Sequence, residues 1–336
     1  MQQRLIQCFV FLTVGLLFSC GRDILKVDTN GESVPIEFVQ LDSIVWNTPV
    51  NQVPAMRSHL TSHLGEIYDY HFGYILQIGR VEDSSFANAM NDYRADEAVK
   101  GMNAELTKSF HNLKSEQNML VDAFTRVNAM NEKWGYPKQI IWHNSLFQAS
   151  IFCTETQLAI GMERYLGAES PTVKSLPSEP FYDWIKVKFD RDYLVRDAVF
   201  NWFLTNVIDT EDGVLAERMI NYGKALLLTE AALPKMDKRI IARYSVDDYK
   251  WALDNEGAFW KFVVDQKLLF KTDERAATNY FNDGPFTSGL PEKAPDRLGQ
   301  FLGWRIVQQY VKKNKVEWED LLAIPYNKIL QNYKID

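Results

Sequence analysis

The stretch VLAERMINYGKALLLTEAAL, Val214–Leu233, runs up to a stop at Pro234. Its apolar residues occupy most of a helical wheel, which predicts a long helix buried on nearly every side. Inside it, Ala216-Glu217-Arg218-Met219-Ile220 has the layout of an H-E-x-x-H metalloprotease helix with both histidines replaced. In such a helix two histidines one turn apart hold zinc, and the glutamate beside the first acts as general base. Ala216 and Ile220 have no lone pair to offer, and the segment holds no histidine or cysteine. Either a site was emptied here or none was ever present, and the surrounding chain has to decide.

Helical pattern dominates that surrounding chain. It is expected from Val53 to about Ile78, over Phe86–Arg94, Asp96–Leu113, Ser115–Trp134 and Arg191–Ile208, and again over Ser245–Phe270. Ser245 followed by Asp248 three residues on is a capping signal. The segment from Asp296 carries Leu298, Phe301, Leu302, Ile306, Val307 and Tyr310 as one apolar stripe, with Asp296 as the expected N-cap and Lys312 and Lys313 at the C-terminal end of the dipole. Gly299-x-x-x-Gly303 on this helix would let another backbone come close. Alternation predicts a strand over Val34–Trp46 and two or three more between Lys138 and Met162. Two long surface loops are expected, Ala168–Pro180 and Phe281–Pro295, both rich in proline. The fold class is therefore α+β, predominantly helical, with a small strand cluster.

The chain has 336 residues, 46% hydrophobic and 24% charged, which is a globular composition with enough length for a sizeable core. Its formal charge of −7, with both signs interspersed, lacks the basic stripe that nucleic-acid binding requires, so no nucleic acid partner is expected. The N-terminus differs in kind. MQQRLIQCFVFLTVGLLFSC has one charge, Arg4, then an apolar run from Cys8 to Phe18, the plan of a secretory signal too short to span a bilayer. It ends in Leu17-Phe18-Ser19-Cys20, a lipobox. Cleavage is expected between Ser19 and Cys20, with a diacylglycerol on the Cys20 thiol. That divides the chain into a signal peptide (1–19), a lipidated tether (20–33) and one domain (34–336), held to a membrane through lipid on Cys20. With Cys8 removed and Cys20 acylated, Cys153 is left as a free thiol in an apolar run and is expected to be buried.

Chemistry-bearing residues are sparse. The five histidines are His59, His63, His71, His111 and His143. His59 and His63 stand four apart, as zinc-binding pairs do, and His71 or Glu66 could complete a set. Leu60 nevertheless occupies the position of the general base, and surface histidines are the simpler reading. G-x-S-x-G, GxGxxG and Walker patterns are absent. Asp247-Asp248, Glu211-Asp212 and Asp254 with Glu256 read as helix-start charges rather than a glycosidase pair. No catalytic residue, metal or cofactor is assigned. A metallohydrolase using His59, His63 and His71 is the alternative. A second alternative is a glycan-binding protein that presents Trp202, Trp251, Trp260 and Trp304, although their apolar helical context points to burial.

Several segments together resemble the gliding motility-associated lipoprotein B (GldB) family of the Bacteroidetes. They are LFSC at Cys20, TETQLAIGMERYLG (Thr154–Gly167), SPTVKSLP (Ser170–Pro177), ERMINYGKALLLTEAALP (Glu217–Pro234), WALDNEGAFWKFV (Trp251–Val263) and APDRLGQFLGWRIVQQYV (Ala294–Val311). The resemblance implies a cell-envelope lipoprotein associated with gliding motility and with type IX secretion, acting through other envelope proteins. The family in turn is distantly similar to zincin-type metallopeptidases, which implies a zincin-like domain whose metal-binding helix is Val214–Leu233, a pseudoenzyme. Gly21 after the lipidated cysteine hints at the outer membrane, facing the periplasm.

Overall fold

The computed structural model describes residues 24–79, 84–210 and 213–335. The signal segment, Ser19 and Cys20 of the lipobox, and Glu211-Asp212 lie outside the described residues. The chain is α+β and mostly helical, around one four-stranded sheet. Strand β1 (Glu37–Gln40) pairs in parallel with β2 (Gln139–His143) and β2 in parallel with β4 (Gln157–Gly161), while β3 (Ile151–Cys153) lies antiparallel on the edge beside β4.

Both faces of the sheet are covered, as parallel strands require. On one face Ile140, Trp142, Leu158 and Ile160 enter the main core, with Phe38 stacked on Trp142. On the other, Val39, Ile141 and Ala159 meet a second cluster built from α1 (Leu41–Asn47), α2 (Val53–Leu64) and the Phe86–Ala95 helix. The alternation Ile140, Ile141, Trp142 is the period of a strand divided between two cores. The main core is closed by α3 (Lys114–Met130), α4 (Leu194–Asn206), α5 (Leu215–Ala232) and α6 (Leu298–Lys313). Trp202 and Trp304 are fully buried there, and the Trp304 indole N–H donates to Glu230 at 3.0 Å. No helix among the described residues is long and apolar enough to cross a membrane.

Helix α5 is the long buried helix expected, and α6 crosses it. At the crossing a Cβ on Gly223 would strike the backbone of Gly303, and one on Gly303 would strike the Met219 carbonyl. Gly303 thus serves the backbone approach that its spacing predicts. Gly299 instead makes room for the Phe281 ring and the Tyr280 carbonyl. All six residues of the predicted α6 stripe are buried.

Some expectations are corrected. The strand predicted over Val34–Trp46 is a strand only at Glu37–Gln40, and the rest is helix α1, in which Leu41 and Val45 are buried one turn apart. Over so few residues the two periodicities cannot be told apart. The helix from Val53 breaks at Gly65, whose φ of 53° ends α2, and resumes as a turn at Glu66–Tyr68 and a wide π-type helix over Asp69–Ile75. Ser245–Phe270 is two helices, Val246–Asp254 and Glu256–Asp265, although Ser245 does cap the first by accepting from the Asp248 N–H. The Ala168–Pro180 loop contains a short helix, Pro171–Ser175, capped by Ser170. Asp296 is not the N-cap of α6. That position is Arg297, in a left-handed conformation (φ 53°), because the Asp296 carboxylate is drawn into an ion network.

Candidate functional site

The first candidate is the Val214–Leu233 helix itself. Ala216 and Ile220 are fully buried in apolar packing, so the two ligand positions of an H-E-x-x-H layout face core rather than a cleft. The half-buried Glu217 side chain folds over Gly213. One turn further along, Lys224 donates to the carbonyls of Leu322 (3.1 Å) and Ile324 (2.9 Å), tying the C-terminal segment to α5. Burial lowers the Lys224 ammonium to about 8, with Glu217 opposing the shift. The polar positions of this helix hold the fold together.

The proposed histidine set is not assembled. His59 and His63 stack on one another on α2, and His63 Nε2 lies 3.1 Å from Glu37. His71 points into the second core instead, edge-on to His143 with ring centroids 4.7 Å apart. Among the described residues no group of three His, Cys, Asp or Glu side chains could hold a metal ion. His111 is exposed, its Nδ1 3.0 Å from the Lys108 carbonyl. Cys153, expected to be buried, is half-buried and free, and burial pushes its thiol up to about 12.

What the structure does bring together lies just beyond the carboxyl ends of the three parallel strands, where open sheets of this kind collect polar sites. Asp42 follows β1, Asn144 and Ser145 follow β2, and Glu163 follows β4. One Glu163 oxygen accepts from the backbone N–H groups of Ser145 (3.1 Å) and Phe147 (3.0 Å) and lies against the Ser145 hydroxyl. The cradle exists because Leu146 and Phe147 adopt φ of 53° and 62°, a strained pair that turns successive N–H groups inward. The chain thus fills its own anion cradle with Glu163. The other Glu163 oxygen, both ring nitrogens of His143, Nδ1 of His71 and the Asn144 amide nitrogen are buried with no hydrogen-bond partner in the protein.

Low dielectric sets the ionisation here. Burial raises the Asp42 carboxyl to about 7, with the Asn144 N–H opposing and the Glu163 charge adding to it. Glu163 is raised by burial against its three donors. Burial holds the His143 imidazole down to about 3, and burial plus repulsion from His143 keeps His71 well below its ordinary range. At neutral pH both rings are uncharged. Ser145 faces Glu163 and the Ala149 carbonyl, and His143 has no hydrogen bond to it, so no nucleophile–base couple is formed. Sequence reading missed Asp42, Ser145 and Glu163, which are spread over more than a hundred residues. The available signal was a polar residue directly after each strand, but Asp42 fell inside an overlong predicted strand.

The two predicted loops meet at a second cluster. Lys188, shortly after the first loop, contacts Asp283 (3.6 Å) and Asp296 of the second. Arg297 pairs with Asp283 at 3.0 Å and Asp296 at 3.2 Å, and Arg243 pairs with Asp197 at 3.0 Å. Arg297 and Arg243 also donate to the backbone carbonyls of Ala242, Arg243 and Lys188, which pins both segments down. Although burial would raise the Asp283 carboxyl, the Arg297, Arg243 and Lys188 charges hold it far below the usual range. Above this base Tyr182, Val187 and Phe286 stand exposed, with Tyr182 stacked on Trp184.

No curated protein and no solved structure matches the chain. The profile of the family described as gliding motility protein GldB matches residues 23–335. The chain, as its lipobox and ordered segments suggested, belongs to the GldB family of gliding motility-associated lipoproteins.

Proposed function

We propose that this protein is a non-catalytic envelope lipoprotein, anchored through Cys20, whose paired loops bind another component of the gliding or type IX secretion apparatus. The observation that carries the reading is the convergence of the two loops on one ion-paired base, with Tyr182, Val187 and Phe286 exposed above it. Exposed aromatic and aliphatic side chains on a rigid support favour partner binding, because little conformational freedom is lost on association. The non-catalytic part of the reading draws on Ala216 and Ile220 lying in apolar core and on the separation of His71 from His59 and His63. A zincin-like domain without its metal, placed at the outer membrane and facing the periplasm, belongs to the same proposal. The glycan-binding alternative loses support from the complete burial of Trp202 and Trp304.

A photo-crosslinking residue at Phe286, in cells expressing the full chain, is expected to give one discrete adduct with another envelope protein. Val187→Asp combined with Tyr182→Ala should abolish that adduct while moving the melting temperature by less than about 2 °C, since surface changes cost little. An adduct unaffected by the substitutions counts against the loop face. Elemental mass spectrometry of the folded, purified protein is expected to find well under one zinc per chain. Stoichiometric zinc would overturn the non-catalytic reading.

A further inference from the structure

The described chain begins at Ile24, four residue steps after Cys20. An extended chain spans at most about 3.6 Å per residue, so the lipid lies within roughly 14 Å of Ile24. The segment that follows is fixed to the body of the protein. Ile24, Leu25 and Val27 pack against the main core, and Arg126 Nη1 donates to the Val27 carbonyl at 3.0 Å. Any lipid on Cys20 therefore brings one particular face of the domain close to the membrane.

That face is built around a cavity of about 1630 Å³ bordered by Ile24 and Leu25. Its rim carries Lys26, Lys312, Lys313, Lys315 and Lys334, all exposed, in a chain whose formal charge is −7. The other charges around the cavity are mostly matched within the protein. Arg305 pairs with Glu256 at 2.8 Å, Lys238 with Glu230 at 3.3 Å, and Asp254 with Lys250 at 2.5 Å. This leaves five rim lysines against Asp28, Glu317 and Asp320. Two of the lysines close helix α6, where the C-terminal dipole already favours positive charge. Ile335, 51% exposed, and Leu253, 39% exposed, add apolar surface beside them.

We propose that this lysine-rimmed face is a second membrane contact, docking on the anionic phosphate headgroups of the leaflet that holds Cys20. The inference rests on the lipidation reading. Headgroups are the occupant favoured here because the short tether holds this face close to the bilayer at all times. At physiological salt the leaflet's field extends about 8 Å, comparable with the tether itself. Each lysine brought to an anionic surface strengthens binding about fivefold, and one lipid anchor supplemented by a basic patch holds far better than either alone. Docking at two points would also set the orientation of the domain, so that the partner-binding loops are presented at one height above the bilayer.

The test uses the full lipoprotein purified from envelopes, its intact mass measured first. It is then reconstituted into vesicles of phosphatidylcholine alone or of equal parts phosphatidylcholine and phosphatidylglycerol. A water-soluble acetylating reagent reads the accessibility of each lysine by mass spectrometry. Lys26, Lys312, Lys313 and Lys334 should label at least about threefold more slowly on the anionic vesicles, and high salt should erase the difference. Lys267 and Lys293, exposed and away from the cavity, should label equally on both. In a variant with Lys26→Glu, Lys312→Glu and Lys313→Glu, protection of Lys334 should disappear while Cys20 stays acylated. Equal labelling of the rim lysines on both vesicles, with the acyl mass present, overturns the docking proposal alone. An intact mass without acyl groups overturns the lipidation reading and removes the anchor on which docking depends.

Discussion

Gly303→Ala is expected to lower the unfolding free energy by about 3 kcal/mol, near the upper end of the usual overpacking penalties. In an exposed helix the same change would gain up to about 1 kcal/mol, because alanine has the better helix propensity. At Gly303 the new Cβ strikes the Met219 carbonyl on the neighbouring helix, and Gly223 faces it across the crossing. A clash with backbone cannot be relieved by a rotamer change. Helices α5 and α6 would have to move apart, opening gaps around fully buried side chains such as Leu302, Ile306 and Leu227. Gly101→Ala is the matched control, since its Cβ would meet nothing within 4 Å on an exposed helical surface. Urea unfolding midpoints should therefore move in opposite directions for the two variants. A shift in the same direction for both would mean that the crossing is looser than described.

The second large effect is in the pH dependence of stability. His143 is held down to about 3 and His71 well below its ordinary value of 6.5, so the folded state stays unprotonated where the unfolded state binds protons. Their contribution is complete above pH 6.5 and is lost as pH falls from 6.5 toward 3. Asp42, raised to about 7, works the other way. Its contribution is present below pH 4 and is lost as pH rises through 7. Between about pH 4 and 6.5 the histidines and the carboxyl therefore oppose one another, and the net slope is shallow. His143→Phe removes one histidine without orphaning a hydrogen bond, since neither ring nitrogen has a partner. Relative to the parent chain the variant should gain about 1.4 kcal/mol for each pH unit below 6.5. Chemical denaturation at a series of pH values would show it, and parallel curves for the two proteins would contradict the buried, neutral His143.

The opening question has a structural answer. Had α5 been a metal helix stripped of its histidines, positions 216 and 220 would face a cleft. Ala216 and Ile220 face apolar core, so the H-E-x-x-H layout at this register is a coincidence of a buried helix. The polar atoms left without partners lie elsewhere, around His143 and Glu163 at the strand ends.

Local sequence was sufficient for the elements with strong periodicity. The α6 stripe, the burial of α5, the Ser245 cap and the close approach at Gly303 follow from residue spacing, because a helix makes neighbours of residues three and four apart. The lipobox and the ordered family segments were readable for the same reason, being contiguous. Short elements were ambiguous, as the division of Val34–Trp46 between β1 and α1 shows. The site beyond the strands was not readable at all. Asp42, His71, His143 and Glu163 come together only when parallel pairing aligns β1 with β2 and β2 with β4, which depends on contacts about a hundred residues apart for the first pair. The desolvation that shifts their ionisation exists only after the sheet is covered on both faces. Asp296 makes the same point, since its sequence position favoured a helix cap, but Lys188 and Arg297, brought beside it by folding, hold its carboxylate instead.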